Sequence, residues 1–322
     1  MLHLSKPELI SNEVILIDGL TRAGKFLLGK LVSNLKGIEY FQSQNIIEQL
    51  PFFNYLQLGD EQNFISLLRL SINTYSYERF IGRNLNERNE SSSVLNSTEL
   101  SEYNLRKTLP DGEPAVRRSL EQKRIPSFLV HECLPHIEFI FKALPQAKMI
   151  NIQRHPLDIS YSWFRRGWGD RWGNDNLVFT PTIQYKNKAC PWFTKDWLDE
   201  WVALENRPMD RVIKSIVTLF TMEQKAYEAF PDKNKILRLN YEGLFENPQK
   251  EIQSLSDFLD TSPFANMNQI LEREGCPNPM LKNEREICIS KLKKLASPEY
   301  YQMISTAALD YESFWNLESS VY

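Results

Sequence analysis

The chain has 322 residues, 42% of them hydrophobic, and 38 basic against 41 acidic side chains leave a net charge of −3. That is apolar material for a sizeable core, without the basic excess of a general nucleic-acid binder. Four scattered cysteines (Cys133, Cys190, Cys276, Cys288) with no C-x-x-C pair argue for reduced buried thiols, and no apolar run approaches membrane-spanning length, so a cytoplasmic protein without a membrane span is expected.

Taken in order, the chain first shows Val14-Ile15-Leu16-Ile17, a β-branched apolar run too short for a helix and suited to a buried parallel strand. Gly19 to Gly24 follow as a turn with Arg22, and helical spacing begins with Phe26, Leu27, Leu31 and Leu35. Strand, glycine turn and helix aim free backbone N–H groups and a positive helix end at an anion, and Arg22 and Lys25 add full charges. Gly19 to Phe26 reads G-x-x-x-x-G-K-F, a triphosphate-binding P-loop in which Phe26 stands where the metal-binding hydroxyl belongs. A plain glycine turn is the bland alternative.

Residues 37–41 suggest a second short strand, and Phe64, Leu67, Leu68 and Ile72 a helix beginning near Asp60. A polar loop is expected near residues 86–101. From Ile125 strands and helices alternate: strands at 125–131, 147–153 and 235–240, helices at 135–144, from Pro156, at 207–230 and from Asn247-Pro248 to Leu259. Six of the seven tryptophans fall between Trp163 and Trp201, which marks an aromatic-rich insert near 167–201. The rhythm predicts one α/β domain over residues 1–322: a mostly parallel central sheet between two helical layers.

Chemistry concentrates at strand ends, where parallel sheets gather ligands. Arg154 closes the 147–153 strand, and its guanidinium suits a phosphate clamp; Ser162 lies about two turns into the next helix. Asp158 has a bland reading as an acid in the first helical turn, and Ser162 one as a bond back to a carbonyl. His131 closes the preceding strand, where a histidine can take a proton near neutral pH; Glu132 is the rival base, and a structural histidine the alternative. Tyr241 closes the last strand, either as core filling or at a ligand.

These stretches resemble sulfotransferases. Arg22-Ala23-Gly24-Lys25-Phe26-Leu27-Leu28 is similar to that family's R-S-G-T-S-L-L loop, and Arg154-x-Pro156-x-Asp158-x-x-x-Ser162 to its R-x-P-x-D-x-x-x-S motif. The strand end at His131 resembles its T-H-x-P segment, and Leu239-Asn240-Tyr241-Glu242-Gly243-Leu244 to Pro248 its L-x-Y-E-D-L-x-x-N-P segment. The resemblance implies a P-loop-like fold and a donor, 3′-phosphoadenosine-5′-phosphosulfate, held without a metal. It places Arg22, Ala23, Gly24, Lys25 and Phe26 at the 5′-phosphosulfate, with Arg22 near the bridging oxygen. It places Arg154 and Ser162 at the 3′-phosphate, Tyr241 at the adenine, and His131 as base for a hydroxyl acceptor, a carbohydrate or another alcohol. Lys25 and Phe26 depart from the usual hydroxyl residues, Val130 from threonine or serine, and Gly243 from aspartate. The family's late R-K-G phosphate loop is missing, with Arg285 a weak substitute. An ATP-using P-loop kinase and an inactive nucleotide-binding module are the other readings.

Overall fold

The structure is a computed structural model that describes residues 2–90, 92–278 and 281–318, and the side chains of all of these but 281–284. The chain opens with strand β1 (Ile15–Asp18), helix α1 (Lys25–Val32), strand β2 (Gln42–Ser43) and helices α2 (Asn45–Tyr55) and α3 (Glu61–Phe80). Strands β3 (Ser127–Leu129) and β4 (Lys148–Gln153) lead into helix α4 (Pro156–Arg165). A hairpin of β5 (Thr182–Tyr185) and β6 (Lys188–Pro191) precedes the long helix α5 (Pro208–Ala229). Strand β7 (Ile236–Asn240) is followed by α6 (Tyr241–Glu246), α7 (Pro248–Leu259), α8 (Leu281–Leu295) and α9 (Pro298–Trp315).

The central sheet has five strands in the order β2-β3-β1-β4-β7, every pairing parallel. The apolar run of β1 explains its central place. Ile15 and Ile17 pack with Leu129, Ile150 and Ile152, whereas Val14 and Leu16 pack with Phe128, Val130 and Met149, so both faces are covered. Because all five strands run the same way, their carboxyl ends share one edge of the sheet. Ser43, Leu129, Asp18, Gln153 and Asn240 end there in that spatial order.

Most expected elements are present within a few residues. Asp60 caps α3 by accepting Gln62 and Asn63 N–H, and Asn247 caps α7 by accepting Lys250 N–H. The second strand, expected at 37–41, lies instead at Gln42–Ser43; Tyr40 and Phe41 are fully buried side chains packed beside α1, and Ile38 makes one isolated bridge to Ile125. Helix α2 was not expected, since Pro51 sits inside it. The described part of the polar 86–101 segment is irregular apart from a turn at Val94–Asn96, pinned by the buried Val94, and the start of a short helix at Leu100.

The aromatic insert folds around its tryptophans. Trp163, Trp172, Trp192 and Trp201 are all buried, and Trp192 stacks on Phe52 of α2 with ring centres 4.4 Å apart. Each ring buried in this way contributes about 2–3 kcal/mol. Trp163 belongs to α4 and the other three to the insert; all four are core and not an open stacking platform. Cys133, Cys190, Cys276 and Cys288 are all buried. Among the described residues, no helix is long and apolar enough to cross a membrane.

Candidate functional site

The turn after β1 is built by glycines. Gly19 has φ +148°, and a Cβ there would stand 2.3 Å from the Ile152 carbonyl oxygen of β4. Gly24 has φ +106°, and its Cβ would stand 2.4 Å from Tyr241 Cδ2. The chain can turn this tightly between two neighbouring strand ends only without side chains at these points. Below the turn, buried Asp18 accepts the Cys133 and Leu134 N–H groups and the Asn151 amide. Glu132 accepts Thr21 N–H at 2.6 Å, and the Trp163 indole donates to the Thr21 carbonyl at 2.6 Å. The turn is thus fastened to β3, β4 and α4.

Helix α1 starts at this turn with no side chain capping it, which leaves a positive helix end facing the sheet edge. Ala23 is buried and spends its N–H on the Leu20 carbonyl. Lys25 is turned inward: its buried ammonium donates to the Gly19 and Leu20 carbonyls at 2.5 and 2.8 Å. Burial pulls its pKa down, and Glu132, followed by Asp18, pulls it back up. Phe26 is 42% exposed and meets Phe41 edge-on at 6.0 Å. Its ring offers no oxygen.

Four of the residues singled out from sequence come together above the turn. Arg22 Nε donates to Ser162 Oγ at 3.2 Å, and Arg154 Nη1 donates to the Arg22 carbonyl at 3.3 Å. The Arg154 guanidinium lies over the Tyr241 ring, 4.5 Å from its centre, and that ring covers Gly24. Arg154 Nε is buried without a hydrogen-bond partner among the described residues. The Arg22 pKa is lowered first by partial burial, then by Arg166 and Arg154. Arg22 and Arg154 thus meet beside an uncapped helix start, an arrangement whose chemistry favours an anion, and Arg166 adds positive charge near Arg22. Arg166, the C-cap just past α4, was missed from sequence; its position one turn past Ser162 was the available signal.

Asp158 and Arg285 have a different task. Arg285 Nη2 donates to Asp158 at 3.0 Å and to Glu242 at 3.1 Å. Glu242 also accepts His155 N–H and the Tyr311 hydroxyl. This buried group ties α8 and α9 to the ends of β4 and β7. Arg285 therefore positions the frame behind Arg154 and Tyr241, and its charge is met by carboxylates.

On the other flank, His131 Nδ1 lies 2.8 Å from Glu48 Oε2, an oxygen that also accepts the His131 N–H at 2.9 Å. A carboxylate partner makes Nδ1 the protonated nitrogen and leaves Nε2 as an acceptor. Glu48 lies on α2 and was not singled out from sequence, because the contact spans 83 residues. Glu132 has φ +52° and is buried beneath the turn; burial raises its pKa, and Lys25 is the chief opposing influence. The aromatic insert reaches this flank, where Gln49 Nε2 donates to the Phe179 carbonyl at 2.8 Å.

Comparison with known proteins gives one match of family rank. The family model described as "Sulfotransferase domain" matches residues 13–297. No curated protein matches the chain. Among solved structures it is similar to the sulfotransferase domain from the curacin biosynthetic pathway, at 13% identity and TM-score 0.47 over 98% of this chain and 100% of that one. The sulfotransferase domain of the Synechococcus PCC 7002 olefin synthase gives 17% identity and TM-score 0.46 over 94% and 98%. Retinol dehydratase, solved with androsterone and inactive cofactor PAP, gives 13% and 0.38 over 98% and 84%. The family match is what carries the assignment.

Proposed function

The chain belongs to the sulfotransferase domain family, and from that premise we propose that it moves a sulfuryl group from 3′-phosphoadenosine-5′-phosphosulfate to the hydroxyl of a carbohydrate or other alcohol. The observation that carries this reading is the Arg22–Ser162 contact, with Arg154 bonded to the Arg22 backbone. It joins the turn after β1 to the end of β4 in one cationic seat, as a nucleotide bearing phosphates at both 5′ and 3′ positions requires. The orphaned Arg154 Nε suits the 3′-phosphate, beside Ser162. The α1 start and Arg22 suit the phosphosulfate, and Tyr241, against Gly24 and Arg154, suits the base.

In this reading the acceptor oxygen attacks sulfur as the bond from sulfur to the 5′-phosphate oxygen breaks. His131 Nε2 takes the hydroxyl proton while Glu48 holds the other ring nitrogen. Arg22 meets the charge that gathers on the departing phosphate oxygen. Lys25 acts within the turn, holding its carbonyls against the carboxylates below. Phe26 supplies a wall and no bond. Family membership displaces the P-loop kinase reading, and Phe26 offers no oxygen to the metal such a kinase would use.

Calorimetry tests the donor site. Adenosine 3′,5′-bisphosphate should bind more tightly than MgATP and equally well with EDTA. Tighter, Mg²⁺-dependent binding of ATP would overturn the donor assignment.

A further inference from the structure

Four successive carbonyls of the turn after β1 are each held by a donor. Gly19 takes the Lys25 ammonium and the Glu132 N–H, and Leu20 takes the Lys25 ammonium and the Ala23 N–H. The Thr21 carbonyl takes the Trp163 indole at 2.6 Å, and the Arg22 carbonyl takes Arg154 Nη1 at 3.3 Å. A turn receives an anion only while its carbonyl oxygens point elsewhere, so these bonds keep it in a receptive form.

Arg22 stands in this turn with φ +73°, a left-handed conformation uncommon for a side chain of its size. A flip of the peptide between Thr21 and Arg22 would relieve it, since that one rotation turns the Thr21 carbonyl around and carries the Arg22 φ to negative values. The peptides on both sides of Thr21 are pinned against such a flip. Glu132 accepts the Thr21 N–H at 2.6 Å, and Trp163 donates to the Thr21 carbonyl. Trp163 is 1% exposed, and its ring packs among Trp168, Trp172 and Phe193. Its neighbour in α4, Ser162, accepts Arg22 Nε. Two consecutive residues of one helix thus hold the backbone before Arg22 and the side chain of Arg22.

We propose that Trp163 is a positioning residue for sulfuryl transfer: through its indole N–H it keeps Arg22 in the left-handed conformation that aims the guanidinium at Ser162 and the departing phosphate oxygen. The inference rests on the sulfuryl-transfer reading and adds the device that sets its leaving-group cation. A phenyl ring in the same place would keep most of the apolar packing and lose the bond. The Thr21 carbonyl would then lack that donor, and the flip would go unopposed on that side.

The test combines Trp163→Phe and Arg22→Ala in a double-mutant cycle, read by calorimetry with adenosine 3′,5′-bisphosphate. Trp163→Phe should weaken binding about tenfold in the native background and less than about twofold once Arg22→Ala is present. Equal losses in both backgrounds, or no loss in either, would overturn the proposal, because ring packing alone does not act through Arg22. Limited trypsin digestion supplies a readout that needs no nucleotide. Cleavage after Arg22 should run about tenfold faster in Trp163→Phe than in the native protein, while cleavage after the exposed Arg88 stays the same. Unchanged cleavage after Arg22, or both sites faster together, would overturn it as well. If the bisphosphate fails to bind the native protein, the donor reading falls and the digestion still judges the hold on Arg22. Should Trp163→Phe fail to fold, benzothienylalanine at position 163, which keeps the size of the indole and replaces its N–H with sulfur, takes its place in both measurements.

Discussion

Glu48 Oε2 receives both the ring Nδ1–H and the backbone N–H of His131, at 2.8 and 2.9 Å. One carboxylate thus fixes the rotation and the tautomer of the imidazole, leaving Nε2 to accept. His131→Ala should lower turnover by about 10²–10⁴ while adenosine 3′,5′-bisphosphate affinity changes little. Glu132→Gln should stay within about tenfold of the native rate, since an amide oxygen can still accept Thr21 N–H. A dead Glu132→Gln beside a working His131→Ala, in a labelled-donor assay, would reverse the assignment.

Arg154→Ala should weaken adenosine 3′,5′-bisphosphate by about 2–3 kcal/mol, the scale of a lost charge-assisted contact. Binding of 5′-AMP, which has no 3′-phosphate, should change far less. Titration calorimetry with both nucleotides checks this, and equal losses would remove Arg154 from the 3′ site.

Gly24→Ala should cost about 1–3 kcal/mol from its φ of +106° alone, with the Tyr241 clash added. Adding Tyr241→Ala should recover the clash and leave the backbone strain. Denaturant melts of the single and double variants separate the two parts.

Glu223, buried behind the site, takes bonds from Gln153 and Asn151, and its pKa is pushed up to about 8, chiefly by burial and next by Asp18. A carboxyl with a raised folded pKa stabilises fully below its unfolded pKa, near 4.5, and that stability is lost as pH climbs towards 8. Glu223→Gln should therefore gain stability over the native protein between pH 5 and pH 8, with the gap widening upward. Thermal melts across that range read it directly; a constant gap would mean that Glu223 does not titrate there.

The parts legible in the sequence are those that local patterns set. The buried runs of β1 and β4 need apolar residues on both faces, and Asn247-Pro248 writes its own helix start. Arg22, Arg154 and Tyr241 each sit at a strand-to-helix junction, with Ser162 about two turns into α4, and parallel pairing brings such junctions together. Helix α2 stayed hidden behind Pro51, and the β5–β6 hairpin behind a Lys186-Asn187 turn without glycine, though both residues adopt positive φ. Glu48 lay beyond local reading, since only folded packing shows which carboxylate meets His131. The inward turn of Lys25 was hard to read for a related reason: its chief acidic neighbour, Glu132, comes from the remote segment after β3.

The position of β1 between β3 and β4 separates two inheritances along the chain. Residues 42–131 feed one flank of the turn and residues 154–241 the other, with the turn itself shared. Insertions, deletions or a whole transplanted segment at 42–101 would change the Glu48 partner of His131 without touching the contacts among Arg22, Arg154, Ser162 and Tyr241. Such a graft should thus alter turnover through His131 while the nucleotide affinity stays as it was.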